Sequence, residues 1–196
     1  MAQIIIGLGN PGGEYEDTRH NIGRIILSDF AKKNDFSEWS ANKKSKALES
    51  AGKIGKEKTT LVMPETFMNK SGESAKYYIK TKKDTERLIV VYDELDLPLG
   101  KFKISFGRNS GGHRGLESII KHLKSKDFVR VRVGISPVTP SGKLKKPSGE
   151  KEVLDFILGK FKEKEREVLK KEMKKISEAL ETIVTDGRER AMGEFN

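Results

Sequence analysis

The stretch Gln3-Ile4-Ile5-Ile6-Gly7-Leu8-Gly9-Asn10-Pro11-Gly12 decides the fold, because it sets a buried strand directly before a glycine-rich loop. The three isoleucines are apolar and β-branched, which is typical of a buried strand. The glycines and the proline close that strand, since both residue types interrupt regular structure. The chain therefore begins with a predicted strand over residues 3–8.

Outward from this strand, predicted helices and strands alternate. Apolar residues at helical spacing predict a helix over about 18–33, with Asp17 or Thr18 as its N-cap and His20 in its first turn. Residues 93–96 are interpreted as an acidic turn that ends a strand. The remaining predicted strands span about 46–50, 59–63, 88–92, 101–106 and 129–135, and further helices span 65–78 and the residues after 115.

This alternation predicts an α/β fold, a three-layer sandwich whose mixed, largely parallel central sheet is flanked by helices. We expect residues 1–196 to form one domain. Within it, residues 137–150 are rich in Pro, Ser, Gly and Lys and are expected to form a mobile lid loop. Apolar residues at steps of three and four predict a C-terminal helix near 163–186.

Composition narrows the class of partner. Lys and Arg number 39 against 29 Asp and Glu, a formal charge of +10, which favours a polyanion such as nucleic acid. A charged surface also serves solubility, so the charge alone does not decide the partner. The chain has no cysteine, which excludes disulfides and zinc-thiolate sites, and no apolar run approaches a membrane span. We expect a cytoplasmic protein without a membrane partner.

The spelling Gly7-x-Gly9-x-x-Gly12 also matches a dinucleotide-binding fingerprint. That motif opens a helix inside the loop and requires an acidic residue at the end of the second strand, about 20 positions on. Here residues 12–15 prolong the loop, and the candidate acid Asp29 lies within a predicted helix. The context therefore argues against a dinucleotide.

The sequence points to direct activation of water. The three histidines, at 20, 113 and 122, form no metal-ligand pattern, and no G-x-S-x-G nucleophile elbow occurs, so no metal or other cofactor is expected. His20 is the best general base, and Asp93 would fix its tautomer and stabilise its cation. Asn10 and Asp93 each follow a strand and are expected to meet at the carboxyl end of the sheet. Capping for His20 and turn formation for Asp93 remain open alternatives.

Several segments together resemble bacterial peptidyl-tRNA hydrolases across essentially the whole chain. They are Gly7–Gly12, Tyr15 with Thr18-Arg19-His20-Asn21, Pro64–Gly72, Asp93-Glu94-Leu95-Asp96-Leu97-Pro98 and Gly111-Gly112-His113 with Gly115-Leu116. The resemblance implies hydrolysis of the ester that joins a peptide to the 3′ end of tRNA by a monomeric enzyme. It implies His20 as base, Asp93 as its partner and Asn10 as the residue that binds the peptide part.

The same resemblance implies a set of substrate-binding residues. They are Tyr15, Phe67, Met68, Asn69, His113 and Arg114. Arg114 departs from the family, which usually has asparagine there, and arginine only donates hydrogen bonds. We expect it to bind a phosphate or ribose. An alternative is a catalytically silent RNA-binding relative, which would not need His20 and Asp93.

Two further expectations concern the reaction and the substrate. The backbone amides of Gly111 and Gly112 are expected to stabilise the oxyanion. The lysines at 143, 145 and 146, together with Arg130 and Arg132, are expected to follow the tRNA backbone.

Overall fold

The computed structural model describes residues 2–196 and contains one seven-stranded sheet. Its strands are β1 (Gln3–Gly7), β2 (Ser40–Asn42), β3 (Ala47–Ile54), β4 (Glu57–Pro64), β5 (Leu88–Pro98), β6 (Phe102–Phe106) and β7 (Val129–Ser136). Its α-helices are α1 (Ile22–Lys33), α2 (Ser71–Tyr78), α3 (Arg114–Leu123), α4 (Glu150–Leu158), α5 (Glu163–Asp186) and α6 (Arg188–Phe195). Short 3₁₀ turns cover Gly13–Tyr15, Arg19–Asn21, Met68–Lys70 and Lys83–Arg87.

The sheet is mixed, with the order β2-β3-β4-β1-β5-β7-β6. Strands β4, β1, β5 and β7 are parallel to their neighbours in this central group, whereas β2, β3 and β6 add antiparallel pairs at the two edges. The predicted α/β class with a mixed, largely parallel sheet is confirmed. The carboxyl end of β1 pairs with Val91 of β5, two residues before Asp93, and ligands gather at the carboxyl ends of strands in such sheets.

Alternation along β1 explains why this strand is apolar throughout. Ile5 faces one core with residues of α1, α5 and α6, whereas Ile4 and Ile6 face a second core with residues of α2 and α3. Successive side chains of a strand point to opposite faces, so a central strand covered by helices on both sides is apolar at every position. The three layers follow from this double burial.

Two glycines bring α1 directly onto the sheet. A Cβ at Gly23 would lie 2.4 Å from the Val91 carbonyl oxygen, and one at Gly7 would lie 2.5 Å from the Gly23 carbonyl oxygen. Gly7 therefore serves helix packing. The close approach sets the depth at which the turn before α1 sits over the middle of β5, at Asp93.

Several element bounds differ from the sequence-based expectation. The 18–33 helix begins as a 3₁₀ turn, and α1 starts only at Ile22; the Thr18 hydroxyl donates to the Tyr15 carbonyl rather than capping a helix. The helix expected at 65–78 starts at Ser71. Strand β2 and helices α4 and α6 were not predicted, and α4 follows directly on the polar loop at 137–149.

The prediction of an acidic turn at residues 93–96 is wrong. β5 continues through these residues to Pro98, pairing Asp93 with Val133 and Glu94 with Gly134 before an irregularity that ends at Pro98. Both carboxylates find partners that make a strand position acceptable, since Glu94 binds Arg132 at 2.9 Å and Asp93 binds two histidines. Polar residues inside a strand are tolerated where their charges are paired.

Candidate active site

A cleft of about 760 Å³ opens at the carboxyl end of β1, beside residues 93–96 in the second half of β5. Its floor comes from the loop after β1 and from β5, and its sides come from the segments that precede α2 and α3. Helix α4 forms the remaining wall. All nine site residues expected from the sequence line this cleft: Asn10, Tyr15, His20, Phe67, Met68, Asn69, Asp93, His113 and Arg114.

Asp93 is the buried centre of the cleft. One of its carboxylate oxygens lies 2.9 Å from His20 Nδ1 and 3.0 Å from His113 Nε2. Burial raises the pKa of the Asp93 carboxyl, but the charges and the hydrogen bonds of the two histidines outweigh burial and hold that pKa well below its ordinary value. Asp93 is therefore an anion that accepts hydrogen bonds from both rings.

The hydrogen bonds assign the tautomers of both rings. His113 is the N-cap of α3, and its Nδ1 accepts from the Leu116 backbone N–H at 3.3 Å, so its proton must be on Nε2, facing Asp93. His20 presents Nδ1 to the same anion, and Nδ1 must therefore carry the N–H. Within residues 2–196, His20 Nε2 has no hydrogen-bond partner, which leaves a basic lone pair on a residue that lines the cleft.

Asn10 is held from three directions. Its Oδ1 accepts from the Met68 backbone N–H at 2.8 Å, its backbone N–H donates to Asn21 Oδ1 at 2.8 Å, and its carbonyl accepts from Asn21 Nδ2 at 2.9 Å. The bond to Met68 fixes the orientation of the amide, because only oxygen can accept from an N–H. The Nδ2 group has no partner among residues 2–196 and remains as a positioned donor at the cleft.

The residues of the side walls differ in how far they are exposed to solvent. Met68 is buried beneath the cleft, whereas Phe67 exposes 58% of its surface and Asn69 is also exposed. Tyr15 is half-buried in the loop after β1. The wall from α4 is apolar and includes Leu154, which is exposed although it is hydrophobic. Sequence reasoning missed this wall because α4 itself was not predicted.

Arg114 lies at the mouth of the cleft. Its guanidinium binds Glu150 at 2.8 Å, and this ion pair joins the first residue of α3 to the first residue of α4. Both side chains are exposed, with 61% of Arg114 and 84% of Glu150 accessible. An exposed ion pair is weak, so a competing anion can replace Glu150 at low cost.

The glycine-rich turn before α3 supplies one free amide and not two. Gly111 and Gly112 both have positive φ, 62° and 83°, and neither would meet an atom with an added Cβ, so the turn is open toward the cleft. The Gly112 N–H donates to Ser110 Oγ at 3.2 Å. The expectation that both amides are available to an oxyanion is therefore wrong for Gly112.

Several of the basic residues expected to follow the tRNA backbone are already bound within the protein. Arg130 is fully buried and donates to the carbonyls of Arg108 and Asn109, and burial lowers the pKa of its guanidinium. Arg132 is bound to Glu94, and Lys146 is bound to Asp96 at 2.6 Å. The expectation that Arg130 follows an RNA backbone is wrong because strand alternation in β7 turns its side chain inward.

The cluster of His20, Asp93 and His113 also has the spacing of a metal site, with possible ligand atoms within 4.8 Å of one another. Both ring nitrogens that face Asp93 are engaged with its carboxylate, and His113 Nδ1 caps α3. A cation would have to displace two N–H protons from the anion. The donor set fits a carboxylate that accepts hydrogen bonds from two N–H groups, and we propose no metal.

Arg19 is the residue that sequence reasoning left without a role. It is buried, binds Glu165 of α5 with two hydrogen bonds of 3.0 and 2.8 Å, donates to the Phe156 carbonyl and stacks on the Phe156 ring. It thereby ties the turn that carries His20 to the end of α4 and the start of α5. Its position next to His20 in the Thr18–Asn21 motif was the available signal.

Comparisons with known proteins agree over the whole described length. A family model described as "Peptidyl-tRNA hydrolase" matches residues 4–196. The peptidyl-tRNA hydrolases of Lachnoclostridium phytofermentans and Thermoanaerobacter sp. are each 41% identical over 194 residues, which cover 98% of this chain and 96% and 98% of those proteins. The crystal structure of peptidyl-tRNA hydrolase from Acinetobacter baumannii superposes with a TM-score of 0.86 at 29% identity, covering 100% of this chain and 94% of that one.

Arg19→Ala should lower the free energy of unfolding by about 3 kcal/mol, because it leaves the Glu165 carboxylate largely buried without its partner. Arg166→Ala is the matched control: it removes an ion pair to Asp17 between the same two segments, but that pair is half-exposed and should be worth less than about 1 kcal/mol. Urea denaturation of both variants measures the difference. Equal losses would show that Arg19 is no anchor.

Proposed function

The chain belongs to the peptidyl-tRNA hydrolase family and hydrolyses the ester between a peptide and tRNA, and from this premise we propose that His20 is the general base of the reaction. The observation that carries the proposal is the free Nε2 of His20, opposite an Nδ1 that is bound to the Asp93 anion. A catalytically silent relative has no need of this pair, so the arrangement favours the enzyme.

In the proposed reaction, His20 Nε2 takes a proton from a water molecule as the water oxygen bonds to the ester carbonyl carbon. The imidazolium that forms is stabilised by Asp93, which stays ionised. Collapse of the tetrahedral intermediate breaks the bond to the ribose oxygen at the 3′ end of tRNA. That oxygen takes the proton from His20, and free peptide and free tRNA leave.

We assign the stabilisation of charge and the recognition of the peptide to amide groups. Asn10 Nδ2 is a preorganised donor, because Met68 and Asn21 hold the rest of the residue. Asn69 lines the cleft with a side chain that both donates and accepts. The Gly111 N–H is the amide of the glycine turn that remains for the oxyanion. A substrate whose amino group is blocked offers these amides a peptide oxygen.

The aromatic and apolar walls suit the two arms of the substrate. Phe67 and Tyr15 offer faces on which an unpaired terminal base can stack. The α4 wall, with Leu154 and Ile157, offers apolar contact to a peptide chain. We place the tRNA end beside Arg114 and the peptide along α4, and His113 acts by holding Asp93.

We propose that Arg114 binds a phosphate or ribose at the tRNA end, in exchange for Glu150. The exposed Arg114–Glu150 pair at the cleft mouth supports this role, since Glu150 occupies the place of an anion. Lys143 and Lys145 lie exposed in the loop at 137–149 and form no ion pair in the part of the chain that the structure describes, so they remain candidates for the RNA backbone.

We further propose that the chain acts as a single-domain monomer in the cytoplasm, with residues 137–150 as its lid. The single domain is supported by one sheet that contains all seven strands and is covered by helices on both faces. Lys146, Pro147 and Gly149 line the cleft, which supports the lid. Among residues 2–196, none of the helices has the length and apolar character needed to cross a bilayer.

His20→Ala should lower kcat by about 10²–10⁴-fold, because the attacking water loses its proton acceptor. Asp93→Asn should lose less, since an amide still orients the ring. The assay follows release of tRNA from an N-acetylated aminoacyl-tRNA, with the free aminoacyl-tRNA as the substrate control and thermal unfolding as the fold control. Near-normal turnover by a folded His20→Ala protein rules out the mechanism.

Arg114→Ala should raise KM several-fold with little change in kcat, as expected when binding is lost equally in ground and transition states. It should also reduce the salt dependence of binding by about one phosphate contact. Glu150→Gln should do the opposite and lower KM, because it releases Arg114, and Arg114→Asn should stay active. An unchanged KM in both single variants means that the pair is only a surface feature.

A further inference from the structure

A second pocket, of about 270 Å³, lies outside the catalytic cleft at the far ends of α2 and α3. Its chemistry is basic. The residues that line it are Lys76, Ile79, Lys80, Thr81, Lys82, His122, Leu123 and Lys124, and no carboxylate is among them. We call this the lysine pocket.

The positive charge of the lysine pocket is not balanced by the protein. In the described range 2–196, Lys76, Lys80, Lys82 and Lys124 are exposed and none forms an ion pair within 4.0 Å. The carboxylates on the adjoining segments have other partners. Glu73 binds Lys46 at 2.7 Å, and Asp84 binds the Arg87 guanidinium and the Thr81 hydroxyl.

The partial negative charges at the carboxyl ends of the two helices do not neutralise this positive charge. The carboxyl ends of α2 and α3 each carry about half a negative charge, so roughly one lysine would neutralise both. Four lysines line the pocket, which leaves an excess of about three positive charges, and the Lys80 ammonium also contacts the Tyr77 ring. Buried Ile79 and half-buried Leu123 supply the apolar part of the lining.

The position of the lysine pocket relates it to the catalytic cleft. Met68 and Asn69 precede α2 and His113 precedes α3, so the cleft lies at the near ends of the same two helices. The ten residues of α3 separate the two sites by about 15 Å at 1.5 Å per residue. A nucleic-acid duplex carries one phosphate per about 1.7 Å of its axis, so several phosphates of one bound molecule span this distance.

We propose that the lysine pocket binds backbone phosphates of the tRNA part of the substrate, away from the reacting ester. The proposal rests on the function given above. It assigns a second contact to the substrate, on the face of the sheet that carries α2 and α3, and it gives a role to four lysines that form no ion pair within residues 2–196; the nearby Asp84 carboxylate is bound to the Lys80 and Thr81 backbone N–H groups and to Arg87.

The test compares two double variants that remove the same net charge. Lys80→Ala/Lys124→Ala removes two ammonium groups from the lysine pocket. Lys170→Ala/Lys171→Ala removes two exposed lysines from α5, which packs on the opposite face of the sheet. The affinity for deacylated tRNA is measured at several KCl concentrations, and thermal unfolding is measured for each protein.

The pocket variant should bind tRNA about ten-fold more weakly at low salt. The negative slope of the log association constant against log [KCl] should become less steep by about two. The α5 variant should bind like the wild type, and Lys80→Arg/Lys124→Arg should restore binding. Equal tRNA affinity of the two alanine variants overturns the proposal. A pocket variant whose weaker binding is accompanied by a lowered unfolding temperature, and is therefore explained by loss of the fold, also overturns it. Wild-type turnover of N-acetylated aminoacyl-tRNA tests the function separately.

Discussion

The structure depends on one carboxylate that accepts hydrogen bonds from two histidine rings. Asp93 lies inside β5, His20 lies in the turn before α1, and His113 is the N-cap of α3. Three separate elements therefore meet at one anion. The Leu116 N–H occupies His113 Nδ1, so His113 donates to Asp93 through Nε2. His20 donates through Nδ1, because the Asp93 anion can only accept. The directionality leaves His20 with its lone pair at the cleft, which is the property that a general base requires.

The rest of the fold keeps this arrangement in place. Gly7 and Gly23 let α1 approach the sheet so closely that the preceding turn places His20 beside Asp93 in the middle of β5. Arg19, next to His20, anchors the same turn to Glu165 of α5 through a nearly buried ion pair with two hydrogen bonds. A ring that is held both through its neighbouring residue and through the helix that follows it loses little entropy when the substrate binds.

The sequence was sufficient for what local patterns determine and insufficient for what depends on long-range pairing. The isoleucine run of β1 and the helical spacing of 163–186 predicted their elements, and the motifs brought all nine site residues to one cleft. The acidic stretch at 93–96 reads as a turn until its partners are known, since its charges are satisfied by residues 20 to 73 positions away. Arg130 likewise looks like a surface charge, although its side chain is buried beneath carbonyls that the sequence does not place there.

The most direct test of the account is the protonation of the two imidazole rings, read from ¹⁵N–¹H correlation spectra and assigned with His20→Gln and His113→Gln variants. In the state where both rings are neutral, His20 should carry its proton on Nδ1 and His113 should carry its proton on Nε2, in each case facing Asp93. A neutral His20 with its proton on Nε2 would contradict the account, because the nitrogen that faces the cleft would then be a donor without a lone pair for the attacking water.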